Sequence, residues 1–116
     1  MKAAVTVKEN YEFRRIYRKG RSVVSPYFVV YCLKNRAGAS RLGVTVSKKL
    51  GHAVVRNRVR RRIRESYRIH EDRFRQGYDI VVVARVRAAH SRYDKLERAL
   101  LSMAEKLELL KPEGEG

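Results

Sequence analysis

The chain has 116 residues, with 28 Lys and Arg against 12 Asp and Glu, a formal charge of +16 at pH 7, and 44% hydrophobic residues. That length supports one domain rather than two, and the apolar content separates it from disordered chains of similar charge. The excess charge calls for a polyanionic partner, RNA or DNA first and an anionic membrane second, because each neutralised phosphate releases condensed counterions. The N-terminal stretch lacks the apolar core of a signal peptide and no run reaches transmembrane length, so the expectation is a cytoplasmic protein with no membrane partner.

Asn10 opens a segment in which Phe13, Ile16 and Tyr17 recur at helical spacing, and Gly20 can end it. Residues 21–25 read as extended, and the run 27–33 has the β-branched and aromatic content of a strand. Its single cysteine, Cys32, reads as a buried small hydrophobe rather than a reactive thiol, and it excludes an intrachain disulfide. A polar turn over 34–40 leads to a partner strand over 42–46, closed by Lys48, Lys49 and Gly51.

Val55, Val59, Ile63 and Tyr67 fall four apart, which predicts a helix over about 52–69 with one buried stripe. Gln76 and Gly77 break that pattern before a strand over 78–84, whose Ile80, Val81, Val82 and Val83 suit burial on both faces. Leu96, Leu100, Met103, Ala104 and Leu107 return to helical spacing, and Pro112 with the closing glycines marks a frayed tail over 111–116. The order predicts a single domain over 1–116 of α/β class, a compact two-layer sandwich of a central sheet and helices. The strands flanking the central helix suit parallel pairing through a crossover, for which the general rule favours the right hand.

Arg56 through Arg64 places six arginines in nine residues, with no acid until Glu65. With Val59 and Ile63 buried, Arg56, Arg58, Arg60, Arg61, Arg62 and Arg64 spread over much of the remaining circumference, where guanidinium forks engage phosphates. Ser47, Lys48, Lys49 and His52 extend the same surface ahead of the helix. Asn57 suits a phosphate, ribose or base contact as well as it suits plain helix surface. Phe13 with Tyr17, and Tyr27 with Tyr31, share helix and strand spacing and offer stacking rings beside the cationic helix; as core rings they need no ligand, and for Phe13 alone core is the first reading. His52, His70 and His90 lie at no metal-ligand spacing, and Glu9 with Glu12, Glu71 with Asp72, and Asp94 with Glu97 lack the ligand set of a two-metal nuclease. No glycine-rich nucleotide cradle is present.

Arg56, Asn57 and Arg58, continuing to Arg64, resemble the signature of the bacterial ribonuclease P protein component. Residues 42–51, 10–20 and 78–84 also resemble that family, so the likeness covers most of the chain from Asn10 to Ala84. The resemblance implies an α/β sandwich with a left-handed crossover, which overrides the right-handed expectation. It further implies an accessory subunit of an RNA-based endoribonuclease that removes the 5′ leader from precursor tRNA. Hydrolysis is then performed by a large catalytic RNA with Mg2+, mainly RNA-bound; no protein side chain is catalytic, and no organic cofactor is needed. One protein copy is expected per catalytic RNA. By the same resemblance, Arg56, Asn57, Arg58, Arg60, Arg61, Arg62 and Arg64, with Ser47, Lys48 and Lys49, contact the catalytic RNA. Phe13, Tyr17 and Tyr31 contact the single-stranded leader. Tyr17 stands where the family often has phenylalanine, which keeps stacking and adds a hydroxyl. Residues that hold a metal are not indicated.

Two other readings use the same residues. A structural or ribosomal RNA-binding protein would keep the basic helix and take no part in cleavage. A DNA-binding regulator is weakened by the lack of a helix-turn-helix pattern.

Overall fold

The structure, a computed structural model, describes residues 5–112. In chain order it comprises β1 (Val5–Thr6), α1 (Asn10–Lys19), β2 (Arg21–Val24), β3 (Phe28–Lys34), β4 (Arg41–Thr45), α2 (Ala53–Ile69), β5 (Tyr78–Ala84) and α3 (Tyr93–Lys106). Short 3-10 turns at Lys48–Leu50, Glu71–Arg73 and Val86–His90 link the later elements. The strands form one mixed sheet in the order β1-β4-β5-β3-β2.

The apolar run of β5 explains its central place. Ile80, Val81 and Val82 are each at most 1% exposed, so this strand needs cover on both faces and a neighbour on both edges. It pairs parallel with β4 and antiparallel with β3. The expected pairing of 27–33 with 42–46 is therefore replaced, because β5 inserts between them.

Strand alternation divides the side chains between two cores. Phe28, Val30 and Cys32 of β3 and Ile80, Val82 and Ala84 of β5 pack with Val59, Ile63 and Tyr67 of α2 and Leu96, Leu100 and Met103 of α3. Tyr31 and Leu33 of β3 and Val81 and Val83 of β5 pack instead with Ile16 and Phe13 of α1. The sheet and the α2–α3 pair are thus the two main layers, and α1 covers the opposite face. Burial pushes the Cys32 thiol pKa up, as a small core residue requires.

The same alternation settles the crossover. The N–H of Arg85 donates to the Tyr27 carbonyl (2.8 Å) and that of Asn35 to the Gly77 carbonyl (2.7 Å), so odd-numbered residues of β5 turn their backbone groups to β3. Even-numbered ones, whose side chains face α2, turn theirs to β4. For L-residues in an upward strand with the side chain toward the observer, those groups point right. Seen from the α2 side, β4 therefore lies right of β5, and the path from β4 through α2 to β5 moves left. The crossover is left-handed, against the general rule. A right-handed return would place β5 on the edge of β4 that β1 occupies.

Helix α1 ends where the chain must pass close to the sheet. A Cβ on Gly20 would lie 2.6 Å from the Ile16 carbonyl oxygen and 2.7 Å from that of Cys32, so only glycine fits, and its φ of −77° shows that no left-handed turn is involved. At the other end of the chain, Lys111 donates its N–H to the Arg73 carbonyl (2.7 Å) and Leu110 bridges to Phe74. The expected frayed tail is thus tied down through Lys111; residues 113–116 lie outside the described ones.

Arg41 locks α1 to the sheet. Its Nε and Nη2 donate to the two oxygens of Asp79 on β5, each at 2.8 Å, and its Nη1 donates to Glu12 of α1 at 2.6 Å. Asn35 adds a 2.8 Å bond to Asp79, whose side chain is 4% exposed. The Arg41 hydrogen bond holds the Glu12 carboxyl below its usual pKa; at Asp79 burial acts upward, but the bonds from Arg41 and Asn35 outweigh it. Both carboxylates therefore contribute stability that is present above the ordinary range near pH 4 and is lost as pH falls through their depressed values. Arg41→Met should cost about 3 kcal/mol in urea denaturation at pH 7 by stranding Asp79. Asp79→Asn should make the loss of stability between pH 5 and 2 visibly shallower in thermal melts than in the parent chain.

Candidate nucleic-acid interface

Two surfaces gather the predicted residues, one on each face of the sheet. On the α1 face, strand β4 presents Arg41, Gly43 and Thr45 in alternation, and these meet Glu12, Phe13 and Tyr17 of α1 in turn. A Cβ on Gly43 would lie 2.8 Å from Phe13 Cε1, so the absence of a side chain lets the Phe13 ring lie on the sheet. The Tyr17 and Tyr31 rings pack T-shaped, with centroids 4.9 Å apart and planes at 67°, and Tyr17 lies 6.3 Å from Phe13. The Tyr17 hydroxyl is 2.9 Å from Thr45 Oγ1. Asn10, Phe13, Arg14, Tyr17 and Thr45 enclose an open cleft of about 390 Å³ with half-exposed aromatic faces.

Phe13, Tyr17 and Tyr31 are thus brought together, whereas Tyr27 is not. The strand starts at Phe28, after a turn in which Ser25 Oγ accepts the N–H groups of Tyr27 and Phe28, so the strand alternation does not extend back to Tyr27. Its ring packs on the main core with the Arg87 guanidinium 5.9 Å above it.

The second surface lies on α2. Thr6 on the edge strand β1 and Leu42 on its neighbour β4, with Asn57, Arg60, Arg61, Arg64, Glu65 and Arg68, line a groove of about 600 Å³. Asn57 Oδ1 accepts from Arg60 (3.0 Å), which holds one guanidinium along the helix. Arg68 pairs with Glu65 and holds that carboxyl below its usual pKa. Arg68, one helical turn beyond Arg64, lines the same groove, although Glu65 interrupts the basic run before it in the sequence.

The remaining arginines of the run turn elsewhere. Arg56 donates from Nε to the Gly51 carbonyl (3.2 Å) beside the exposed Ser47, Lys48 and Lys49. Arg62 donates to the Ser91 carbonyl (3.2 Å) at the entry to α3. Arg58 is half-buried, and its Nε is shielded without a hydrogen-bond partner. The catalytic-RNA set expected from the sequence therefore divides: Asn57, Arg60, Arg61 and Arg64 share the groove, Arg56 joins the basic turn, and Arg58 and Arg62 turn partly inward. The aromatic cleft and the groove also lie on opposite faces rather than side by side. β4 connects them, since Leu42 lines one, Thr45 lines the other, and the chain passes from Thr45 directly to Ser47, Lys48 and Lys49.

Among the described residues no three His, Cys, Asp or Glu side chains converge on a common point, and no helix is long and apolar enough to cross a membrane. Glu12 and Asp79 are both committed to Arg41.

A family model described as Ribonuclease P matches residues 1–108. The chain belongs to the ribonuclease P protein family. It is similar to the ribonuclease P protein component of Natranaerobius thermophilus, 42% identical over 110 residues that make up 95% of this chain and 96% of the relative. The protein component of Clostridium botulinum is 46% identical over 101 residues, 86% of this chain and 91% of the relative. Among solved structures, the RNase P protein of Staphylococcus aureus superposes with a TM-score of 0.86 at 37% identity, covering 94% of this chain and all of that one (100%). That of Thermotoga maritima gives 0.80 at 30% identity over 87% and 96% of the two chains. As a ribonuclease P protein component, the chain is an RNA-binding subunit of a ribonuclease of tRNA processing.

Within this ribonuclease P protein, the direction of each arginine separates two kinds of variant. Arg61→Ala should leave the melting temperature unchanged, weaken RNA binding, and lower the slope of log affinity against log salt by about 1. Arg62→Ala should instead cost about 1 kcal/mol of stability in urea denaturation, through the lost bond to Ser91.

Proposed function

We propose that this chain holds two RNAs at once: the catalytic RNA of ribonuclease P on the α2 groove and basic turn, and the single-stranded 5′ leader of precursor tRNA in the aromatic cleft. The observation that carries this reading is the pair of chemically different surfaces on one rigid sheet. The arginine forks that line the groove suit a phosphate backbone, whereas rings exposed beside Asn10 and Arg14 suit unstacked bases with a flanking phosphate.

The chain's residues then act by positioning. Phe13, Tyr17 and Tyr31 supply faces and edges for bases, and Arg14 with Lys48 and Lys49 supplies charge along the strand leaving the cleft. Fixing the leader relative to the catalytic RNA replaces a bimolecular encounter with an internal one. Only the precursor carries the leader, so the cleft favours substrate over mature product. Phosphodiester hydrolysis belongs to the RNA in this proposal, and Mg2+ held mainly by RNA supplies water activation and charge stabilisation. One protein copy serves one catalytic RNA, in the cytoplasm.

The test is reconstitution. Protein, cognate large RNA, and the two combined are compared on a 5′-extended precursor tRNA at near-physiological magnesium. Correctly placed cleavage should rise only on combination. With Phe13→Ala or Tyr17→Ala in the assembled enzyme, precursor affinity should fall about tenfold while affinity for the leaderless tRNA holds, in line with about 1–3 kcal/mol per stacked base. Equal affinity for the two tRNAs in the intact assembly would sink the leader assignment and favour a structural RNA-binding role.

A further inference from the structure

A phenol ring is fixed in direction when its distal end is held as well as its Cβ. Tyr17 meets this condition: its hydroxyl lies 2.9 Å from Thr45 Oγ1, the length of an O–H···O bond, while its ring packs T-shaped with that of Tyr31. Thr45 suits the task. It lies in β4, where a β-branched side chain is restricted about χ1, so its hydroxyl is offered in one place before any ligand arrives. Two residues earlier on the same face Gly43 seats Phe13, and four residues earlier Arg41 holds Glu12. Helix α1 is thereby fastened to β4 at both ends of the cleft, by an ion pair at one and by the hydroxyl pair at the other. Tyr17 is 36% exposed, so without the second fastening its ring would be free to turn toward solvent.

We infer that Thr45 is a positioning residue: through its hydroxyl bond it holds the Tyr17 ring at the angle at which a base of single-stranded RNA stacks. This rests on the cleft's reading as the leader site. A neutral hydrogen bond of this kind, lost, corresponds to a severalfold change in affinity.

The experiment uses the assembled ribonucleoprotein and measures affinity for precursor tRNA and for the same tRNA without its leader. Thr45→Val keeps the shape and removes the hydroxyl; Thr45→Ser keeps the hydroxyl; Tyr17→Phe removes the other partner. Thr45→Val should weaken precursor binding about fivefold, leave the affinity for leaderless tRNA unchanged, and be rescued by Thr45→Ser. Tyr17→Phe should match it, and Thr45→Val with Tyr17→Phe should be no worse than either alone. Melting curves of each protein verify folding. Unchanged precursor affinity in Thr45→Val, additive losses in the double variant, or equal losses on both tRNAs would each overturn the assignment. If Tyr17→Ala also leaves precursor affinity unchanged, the leader site itself lies elsewhere; if Tyr17→Ala weakens it while Thr45→Val does not, the leader site stands and only the role of Thr45 falls.

Discussion

One guanidinium joins three elements that are remote in sequence. Arg41 on β4 reaches Asp79 on β5 through two parallel bonds and Glu12 on α1 through a third. A planar fork of this kind constrains direction as well as distance, which a methylene contact does not. A buried ion pair adds little net stability over a well-packed apolar alternative, so its distinctive effect here is registration. With Glu12 fixed, Phe13 next to it falls over Gly43 and Tyr17 reaches Thr45. The cleft's geometry thus descends from a polar contact placed beneath an aromatic one.

Strand parity separates the aromatic cleft from the arginine groove. Odd-numbered residues of β4 face α1 and even-numbered ones face α2, so one five-residue strand serves both. This arrangement keeps the densest positive charge apart from the rings. On α2, like charges one turn apart oppose folding, and Glu65 answers only part of that repulsion. Binding a phosphate backbone removes the rest, so RNA and stability are linked.

Much of the fold is legible in the residues because its elements have distinct periods. The stripe of Val59, Ile63 and Tyr67 marks α2, the four successive apolar residues of β5 mark a strand covered twice, and both lie where the patterns predict. What is not legible depends on distant partners. The two-residue β1 has no period, the insertion of β5 between β3 and β4 depends on competition for edges, and the hand of the crossover depends on which edge β1 takes. The site divides the same way. The arginine run is plain, but Arg62 turns to a carbonyl of the segment entering α3, which nothing within the run announces. Likewise the resemblance marks Tyr17 for leader contact, while its bond to Thr45 spans 28 positions and follows from parity only after α1 is known to lie along β4.

The central strand is also the last one made. β5 begins after about two-thirds of the chain, and until it leaves the ribosome β3 and β4 have no common neighbour and α1 has no Val81 or Val83 beneath it. The contacts that complete the sheet are long-range and close late. The nascent chain, by contrast, already carries Arg56 through Arg64. Attraction to phosphate needs only charge, and it acts on any RNA. If the cleft reads the leader as proposed, discrimination among RNAs arrives with the last strand, and a chain interrupted before Tyr78 would be adhesive without being selective.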